Sequence, residues 1–153
     1  MRWPKLTVVC HAQSHLIAAL DVCVGPCQDS PQLPPVLREA TELVKFKKLL
    51  GDKGYDAEHN HVLAREELGI KESVIAVKRN TNGTRQWPKS KYRRALKKKF
   101  PKKIYGQRWQ VESVFSRNKR LLGSTLRARK WESQVRECHL RILTHNFLIL
   151  GAL

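Results

Sequence analysis

The sequence predicts an α/β fold in which a mixed β-sheet is covered by helices. Short apolar runs alternate with stretches of helical periodicity in the order β-β-α-β-α-β, and two long amphipathic stretches follow a polar segment. The hydrophobic content of 41% is typical of a globular protein. With 153 residues, the chain is long enough to form one domain, or a piece of one, with its own core.

The first elements are an antiparallel hairpin and a helix. Aliphatic runs at 6–10 and 16–24 flank a short polar turn and predict a hairpin over 6–24, which Gly25-Pro26 ends. Proline and cap residues then predict a helix from about 34 to 46. The inward positions of this helix are predicted to be Val36, Ala40, Leu43 and Val44.

Two short strands and a second helix come next. The run at 46–50 predicts a strand that leads to Asp52. Asp56 is predicted to cap a helix that stops at Gly69. Another short strand is predicted at 73–77.

A basic segment separates these elements from the C-terminal helices at 104–150. Residues 78–103 contain two prolines, the turn sequence Asn80-Thr81-Asn82-Gly83 and many cations, so we expect an exposed loop or mobile arm. Helices are predicted at 105–122, stopped by Gly123, and at 131–150. The second helix is predicted to carry an apolar set on or near one face, namely Val135, Cys138, Ile142, Phe147 and Ile149.

The net charge of +17 is unevenly distributed. Residues 1–72 contain 9 Lys/Arg and 10 Asp/Glu, whereas residues 73–153 contain 21 and 3. Between Glu72 and Glu112 there are 13 Lys/Arg and no acidic residue. A polyanion is therefore the expected partner. Nucleic acid is favoured over a membrane surface, because clustered cations gain affinity by releasing its counterions.

The absence of a long apolar run bears on the cellular compartment of the protein and on the redox state of its cysteines. No run approaches the length that spans a bilayer, and the first residues lack the apolar core of a signal peptide. We therefore expect a cytoplasmic protein whose four cysteines are reduced. Cys23 and Cys27 are four apart, unlike the C-x2-C pairs of common zinc sites, so buried thiols are favoured over metal ligands.

A spaced set of four residues is the main functional motif. Tyr105, Arg108, Glu112 and Lys119 have the pattern Y-x2-R-x3-E-x6-K, whose offsets fall close to one face of a helix. A carboxylate between two cations and a phenol suits a metal ion held against a phosphate backbone. The alternative is a solvated helix face with an ion pair.

Asp52 is the second candidate carboxylate. It closes a predicted strand, and the carboxyl ends of strands are where α/β proteins place their sites. Gly54 lets the chain turn sharply after it. Asp52 and Glu112 together could bind Mg²⁺ or Mn²⁺ through oxygen ligands. The alternative for Asp52 is a turn or helix-capping aspartate.

The basic segment is the candidate DNA-binding region. Trp87 and Tyr92 lie among its cations, which favours phosphate contacts with some base stacking over a solvated lysine-rich loop. Its densest cations are Lys97, Lys98 and Lys99.

These residues resemble those of bacterial insertion-sequence transposases of the DDE class. Tyr105, Arg108, Glu112 and Lys119 match the signature of the insertion-sequence family 4 group at every spacing. Residues 52–56 are similar to the block around that family's second catalytic aspartate. Residues 117–123 and 144–146 also resemble family sequences, so the likeness covers nearly the whole chain.

The resemblance implies a ribonuclease-H-like fold that cleaves and joins double-stranded DNA at insertion-sequence ends. It implies two divalent ions, Mg²⁺ or Mn²⁺, held by three carboxylates. Asp52 and Glu112 would be two of these carboxylates, and Tyr105, Arg108 and Lys119 would contact phosphates. The implied partners are insertion-sequence DNA and a second transposase copy, either this chain or a full-length protein, in association with the nucleoid.

The chain departs from the family pattern at the first catalytic aspartate. That residue lies on a strand before the hairpin, and neither Asp21 nor Asp29 resembles a replacement. The resemblance therefore implies a partial, inactive catalytic domain without its first strand. The alternatives are a basic DNA-binding remnant without catalysis and, less favoured by the signature, an RNA-binding protein.

Overall fold

The computed structural model describes residues 3–78 and 87–151. The chain forms two compact units, each described here by itself. The terminal unit comprises Met1–Cys27 and Trp109–Leu153, and the central unit comprises Gln28–Arg108. In chain order the elements are β1 (Trp3–Cys10), β2 (Ile17–Gly25), α1 (Leu33–Leu43), β3 (Lys48–Gly51), α2 (Glu58–Val62), β4 (Glu72–Ile75), α3 (Lys91–Lys98), α4 (Lys102–Tyr105), α5 (Trp109–Leu122) and α6 (Trp131–Leu150).

The α/β class is confirmed, but the sheets are smaller than predicted. β1 pairs with β2 in an antiparallel hairpin, as the alternating sequence predicts. β3 pairs with β4 in parallel, in a separate sheet. In the part of the chain that the structure describes, the two pairs form separate two-stranded sheets, and the one mixed sheet that the sequence predicts stays a prediction.

The terminal unit is built on the hairpin, α5 and α6. Ile17, Val114 and Ile142 form a buried cluster, one residue from each of these elements. The bounds of α6 agree with the predicted 131–150, and Cys138 and Ile142 are buried as expected.

Phe147 lies near the buried face of α6 and is 64% exposed. The buried residues of this helix are Cys138, Ile142, His145 and Ile149, which are spaced four, three and four apart. This spacing follows one stripe of a helix, and Phe147 lies beside it. His145, which the apolar pattern did not include, is buried on this stripe.

In the central unit, α1 ends earlier than predicted. Val36 and Ala40 are buried as expected, and Leu37 is buried with them. Leu43 and Val44 are exposed, so their predicted inward positions are wrong. The reason is that the helix ends at Leu43 and the backbone of Val44 is extended.

The second predicted helix is short and irregular. α2 continues into a wider π-helical turn at Leu63–Glu67, and Gly69 ends it with φ +68°, as predicted. Ala57, rather than Asp56, is the N-cap residue, and its side chain makes no capping hydrogen bond. The predicted capping role of Asp56 is therefore wrong.

The basic segment 78–103 is not a loop throughout. Its predicted turn at 80–83 lies outside the described residues, but Lys91–Lys98 form the helix α3 and α4 begins at Lys102. The prediction of one continuous helix at 105–122 is also wrong. α4 ends at Tyr105, a 3₁₀ turn covers Gly106–Arg108, and α5 then runs to Leu122.

Cys23 and Cys27 form a disulfide, so the expectation of four reduced thiols is wrong for this pair. Cys10 and Cys138 are free, and burial raises the pKa of the Cys10 thiol to about 11. None of the helices that the structure describes is long and apolar enough to cross a membrane.

Candidate functional site

Asp52 lies directly after β3, at the carboxyl end of a parallel strand, as predicted. It is exposed, and its Oδ1 accepts a hydrogen bond from the N–H of Lys53 at 2.7 Å. The same residue is the N-cap of the 3₁₀ turn Lys53–Tyr55. Asp52 therefore lies at a strand end, as expected of a site residue. It also caps a turn, which was the alternative interpretation of this aspartate.

Gly54 makes a close approach to Asp29 within the central unit. A Cβ at this position would overlap the carboxylate of Asp29. The sequence analysis assigned Gly54 to a sharp turn, and the structure adds that Asp29 packs against it. Any larger residue would displace either Asp29 or the turn that follows Asp52.

Asp56 is a buried ion-pair residue whose role the sequence did not reveal. Its two oxygens accept hydrogen bonds from Nε and a terminal nitrogen of Arg93, both at 2.8 Å. A third hydrogen bond comes from the N–H of Lys78 at 2.7 Å. The side chain of Asp56 is fully buried, and this bidentate pair raises the pKa of Arg93.

Glu58, on α2, binds the first turn of α3. Its carboxylate accepts hydrogen bonds from the N–H groups of Tyr92 at 2.8 Å and Arg93 at 3.1 Å. Burial alone would raise the pKa of Glu58, but these two bonds, together with Ser90 and His61, outweigh it and the pKa lies below its usual range. Ser90 is the N-cap residue of α3, but its side chain makes no capping hydrogen bond. Glu58 thus supplies the acceptor for N–H groups at the start of this helix.

Glu66 makes the third acidic contact with α3. It accepts a hydrogen bond from the hydroxyl of Tyr92 at 2.6 Å and pairs with Lys91 at 3.4 Å. The charged groups of Arg65 and Lys91 each lie 4.8 Å from the centroid of the Tyr92 ring. These contacts hold the Tyr92 side chain against other residues of the central unit. The sequence analysis had instead suggested that Tyr92 stacks on bases.

The remaining cations of α3 lie at exposed positions. Leu96 is buried, whereas Arg94, Lys97 and Lys98 are exposed, as is Lys99 directly after the helix. Lys97 Nζ lies 5.7 Å from the ring centroid of Trp87, whose side chain is 53% exposed. Trp87 therefore keeps an accessible aromatic face beside the cations.

The motif residues are divided between the two units. Tyr105 and Arg108 belong to the central unit, where the guanidinium lies 5.8 Å from the ring centroid. Glu112 and Lys119 belong to α5 in the terminal unit, where both are exposed. Their separation of seven residues puts these two side chains on the same face of α5.

Comparison with known proteins identifies the family. A family model described as "Transposase DDE domain" matches residues 2–147. The chain belongs to this family. No curated protein and no solved structure matches the chain. The DDE transposase assignment made from the Tyr105–Lys119 pattern is thereby confirmed, and transposition is the function of the family.

Transposase DDE domains generally depend on divalent metal ions and bind DNA. Across 3–78 and 87–151, no group of three or more His, Cys, Asp or Glu residues is placed to hold a metal ion. Asp52 and Glu112 have the oxygen ligands that Mg²⁺ and Mn²⁺ prefer, but they supply only two carboxylates. Within either unit taken by itself, the described residues of this DDE domain therefore do not form a three-carboxylate metal site.

Proposed function

We propose that this DDE domain belongs to the insertion-sequence family 4 group and has a ribonuclease-H-like fold. Its function would be to bind, cleave and join DNA at insertion-sequence ends. The observation that carries the proposal is the Y-x2-R-x3-E-x6-K pattern in a chain of the DDE family. Each position of this pattern agrees in residue type and spacing, which chance rarely produces.

Two carboxylates are proposed as metal ligands, Asp52 and Glu112. The exposure of Asp52 at a strand end and of Glu112 on α5 supports their access to Mg²⁺ or Mn²⁺. Because the described residues do not complete the site, we derive no cleavage step for this chain. We propose instead that the chain by itself is inactive as a nuclease.

Phosphate contacts are proposed for the motif cations and for the exposed end of α3. Arg108 and Lys119 would act with the hydroxyl of Tyr105, and Lys97, Lys98 and Lys99 would bind the backbone of duplex DNA. The exposure of these three lysines and the absence of acids between Glu72 and Glu112 support this role. Such contacts give affinity without strong sequence preference.

DNA binding can be tested by fluorescence anisotropy with a labelled duplex at several salt concentrations. We expect weak binding with a steep salt dependence. Replacing Lys97, Lys98 and Lys99 with Ala should weaken binding to all sequences and flatten the logarithmic salt slope by up to about three units. Affinity that does not change with salt would contradict the proposal.

The matched control changes three other exposed lysines of the central unit to Ala, namely Lys45, Lys47 and Lys71. It removes the same net charge from the same unit. If only total charge matters, the two triple variants should lose equal affinity. A clearly larger loss for Lys97, Lys98 and Lys99 would support a local DNA-binding surface.

A second candidate function is DNA binding without catalysis, as a remnant that pairs with full-length transposase. It is favoured by the lack of a three-ligand metal group among the described residues. Both candidate functions include DNA binding. They differ in the result expected when another transposase copy supplies a third carboxylate in trans, because only the enzyme would then cleave DNA. Cleavage that depends on Glu112 in such a mixture would favour the enzyme.

A further inference from the structure

We propose that Asp56, Glu58 and Glu66, hereafter the acid clamp, hold the basic helix α3 so that its opposite face meets the phosphates of duplex DNA. In this arrangement Lys91 and Arg93 pair with the acid clamp and stabilise the fold. The cations that contact the DNA are Arg94, Lys97, Lys98 and Lys99. The inference rests on the proposed DNA binding and adds to it the acidic residues that position the binding surface.

The first step is that α3 is a poor helix by itself. It has eight residues, and five of them are Lys or Arg. Like charges at i and i+4, such as Arg93 with Lys97 and Arg94 with Lys98, destabilise a helix. Isolated helices of this length are marginal even without such repulsion. Leu96 is its only buried residue, so apolar packing contributes little.

The second step is that the clamp supplies what α3 lacks at its start. The side chain of Ser90, the N-cap residue, makes no capping hydrogen bond. The carboxylate of Glu58 instead accepts hydrogen bonds from the N–H groups of Tyr92 and Arg93. A negative charge at a helix N-terminus also interacts favourably with the helix dipole. A residue from α2 therefore replaces a local cap.

The third step is that the clamp sets the rotation of α3 about its axis. Asp56 holds the guanidinium of Arg93 through two hydrogen bonds, and Glu66 holds Lys91 and the Tyr92 hydroxyl. All of these contacts fall on three consecutive residues of the first turn. With that turn held, the remaining cations face solvent.

The sign of the expected effect separates this inference from simple electrostatics. An acid near a DNA-binding surface ordinarily repels phosphates, so its neutralisation strengthens binding. If the clamp positions α3, neutralising one of its acids should weaken binding, although the net positive charge of the protein increases.

The experiment compares Glu58→Gln and Glu66→Gln with Glu39→Gln and Glu42→Gln on α1, whose side chains are exposed. We expect the clamp variants to bind a labelled duplex several-fold more weakly and with a flatter salt slope, because fewer cations reach the phosphates. The α1 variants should bind equally or more tightly. Circular dichroism verifies that each variant is folded.

Limited trypsin digestion provides a readout of α3 itself. In the clamp variants, cleavage after Arg94, Lys97 and Lys98 should accelerate while β1, β2 and α6 stay protected. If the Glu58 variant does not fold, the Glu66 variant still tests the inference. The Glu66 side chain is exposed, so its replacement should not prevent folding.

Clamp variants that bind DNA as tightly as the unaltered protein, or more tightly, would overturn the inference and leave the proposed DNA binding intact. Absence of salt-dependent binding by the unaltered protein would overturn the proposed function and this inference together. The two failures are therefore distinguishable.

Discussion

The side-chain amide of Asn146 pairs with the backbone of Ile17 as a neighbouring strand would. Its Oδ1 accepts the N–H of Ile17 at 2.9 Å, and its Nδ2 donates to the Ile17 carbonyl at 2.9 Å. The adjacent His145 contacts the same region, because its Nε2 lies 3.0 Å from the carbonyl oxygen of His15. His145 and Asn146, two of the residues 144–146 singled out in the sequence by family resemblance, therefore attach α6 to the start of β2.

Replacing Asn146 with Ala should destabilise the terminal unit. Two backbone groups of the buried Ile17 would lose their partners, and each buried unsatisfied group costs about 1–3 kcal/mol. We expect the free energy of unfolding, measured by urea denaturation, to fall by at least about 2 kcal/mol, the lower bound for two such groups. Thr144→Ala, on an exposed position of the same helix, is the control and should change stability by less than about 0.5 kcal/mol.

Arg93→Ala should cost far more stability than Arg94→Ala. The first change leaves the fully buried carboxylate of Asp56 without its cation, and breaking a buried pair costs about 3 kcal/mol. The second change removes an exposed cation next to it in sequence and should be nearly neutral. Equal unfolding free energies for the two variants would show that the Asp56–Arg93 pair does not hold α3.

The chain by itself should neither nick nor join DNA with Mg²⁺ or Mn²⁺. Two candidate carboxylates leave the metal site short of a ligand, and phosphoryl transfer depends on that positioning. The measurement is conversion of supercoiled plasmid to its nicked form. Robust nicking that is lost in Glu112→Gln would show that another acid of this chain completes the site.

Stability of the central unit should fall as the pH decreases below about 6.5, the ordinary pKa of histidine. His61 is fully buried, and burial lowers its pKa. Between the lowered pKa and the ordinary one, the unfolded chain binds a proton that the folded chain does not, so acid favours unfolding. The charged groups that affect His61 are Glu58, Asp56, Arg65 and Arg93.

Thermal melting of the protein between pH 7.5 and pH 5 checks this prediction. His61→Gln should reduce the pH dependence of the melting temperature, whereas His139→Gln, at an exposed position, should leave it unchanged. A melting temperature with the same pH dependence in all three proteins would contradict the role given to His61.

Several elements were predictable because their determinants are local. The hairpin follows from two aliphatic runs around a polar turn, and α6 follows from a long amphipathic stretch. Gly69 and Gly123 end helices with positive φ, a conformation that favours glycine. The transposase family was also evident in the sequence, since the motif from Tyr105 to Lys119 depends on residue type and spacing alone.

The tertiary structure decided which polar residues hold the fold. Asp56 appeared to be a helix cap, but its partner, Arg93, is 37 residues away. The basic segment appeared to be a loop because five of the eight residues in α3 are cations, and no local pattern shows that Glu58 would cap the helix. The chain encodes periodicity and turns over a few residues, whereas these ion pairs and caps form only when folding brings distant segments together.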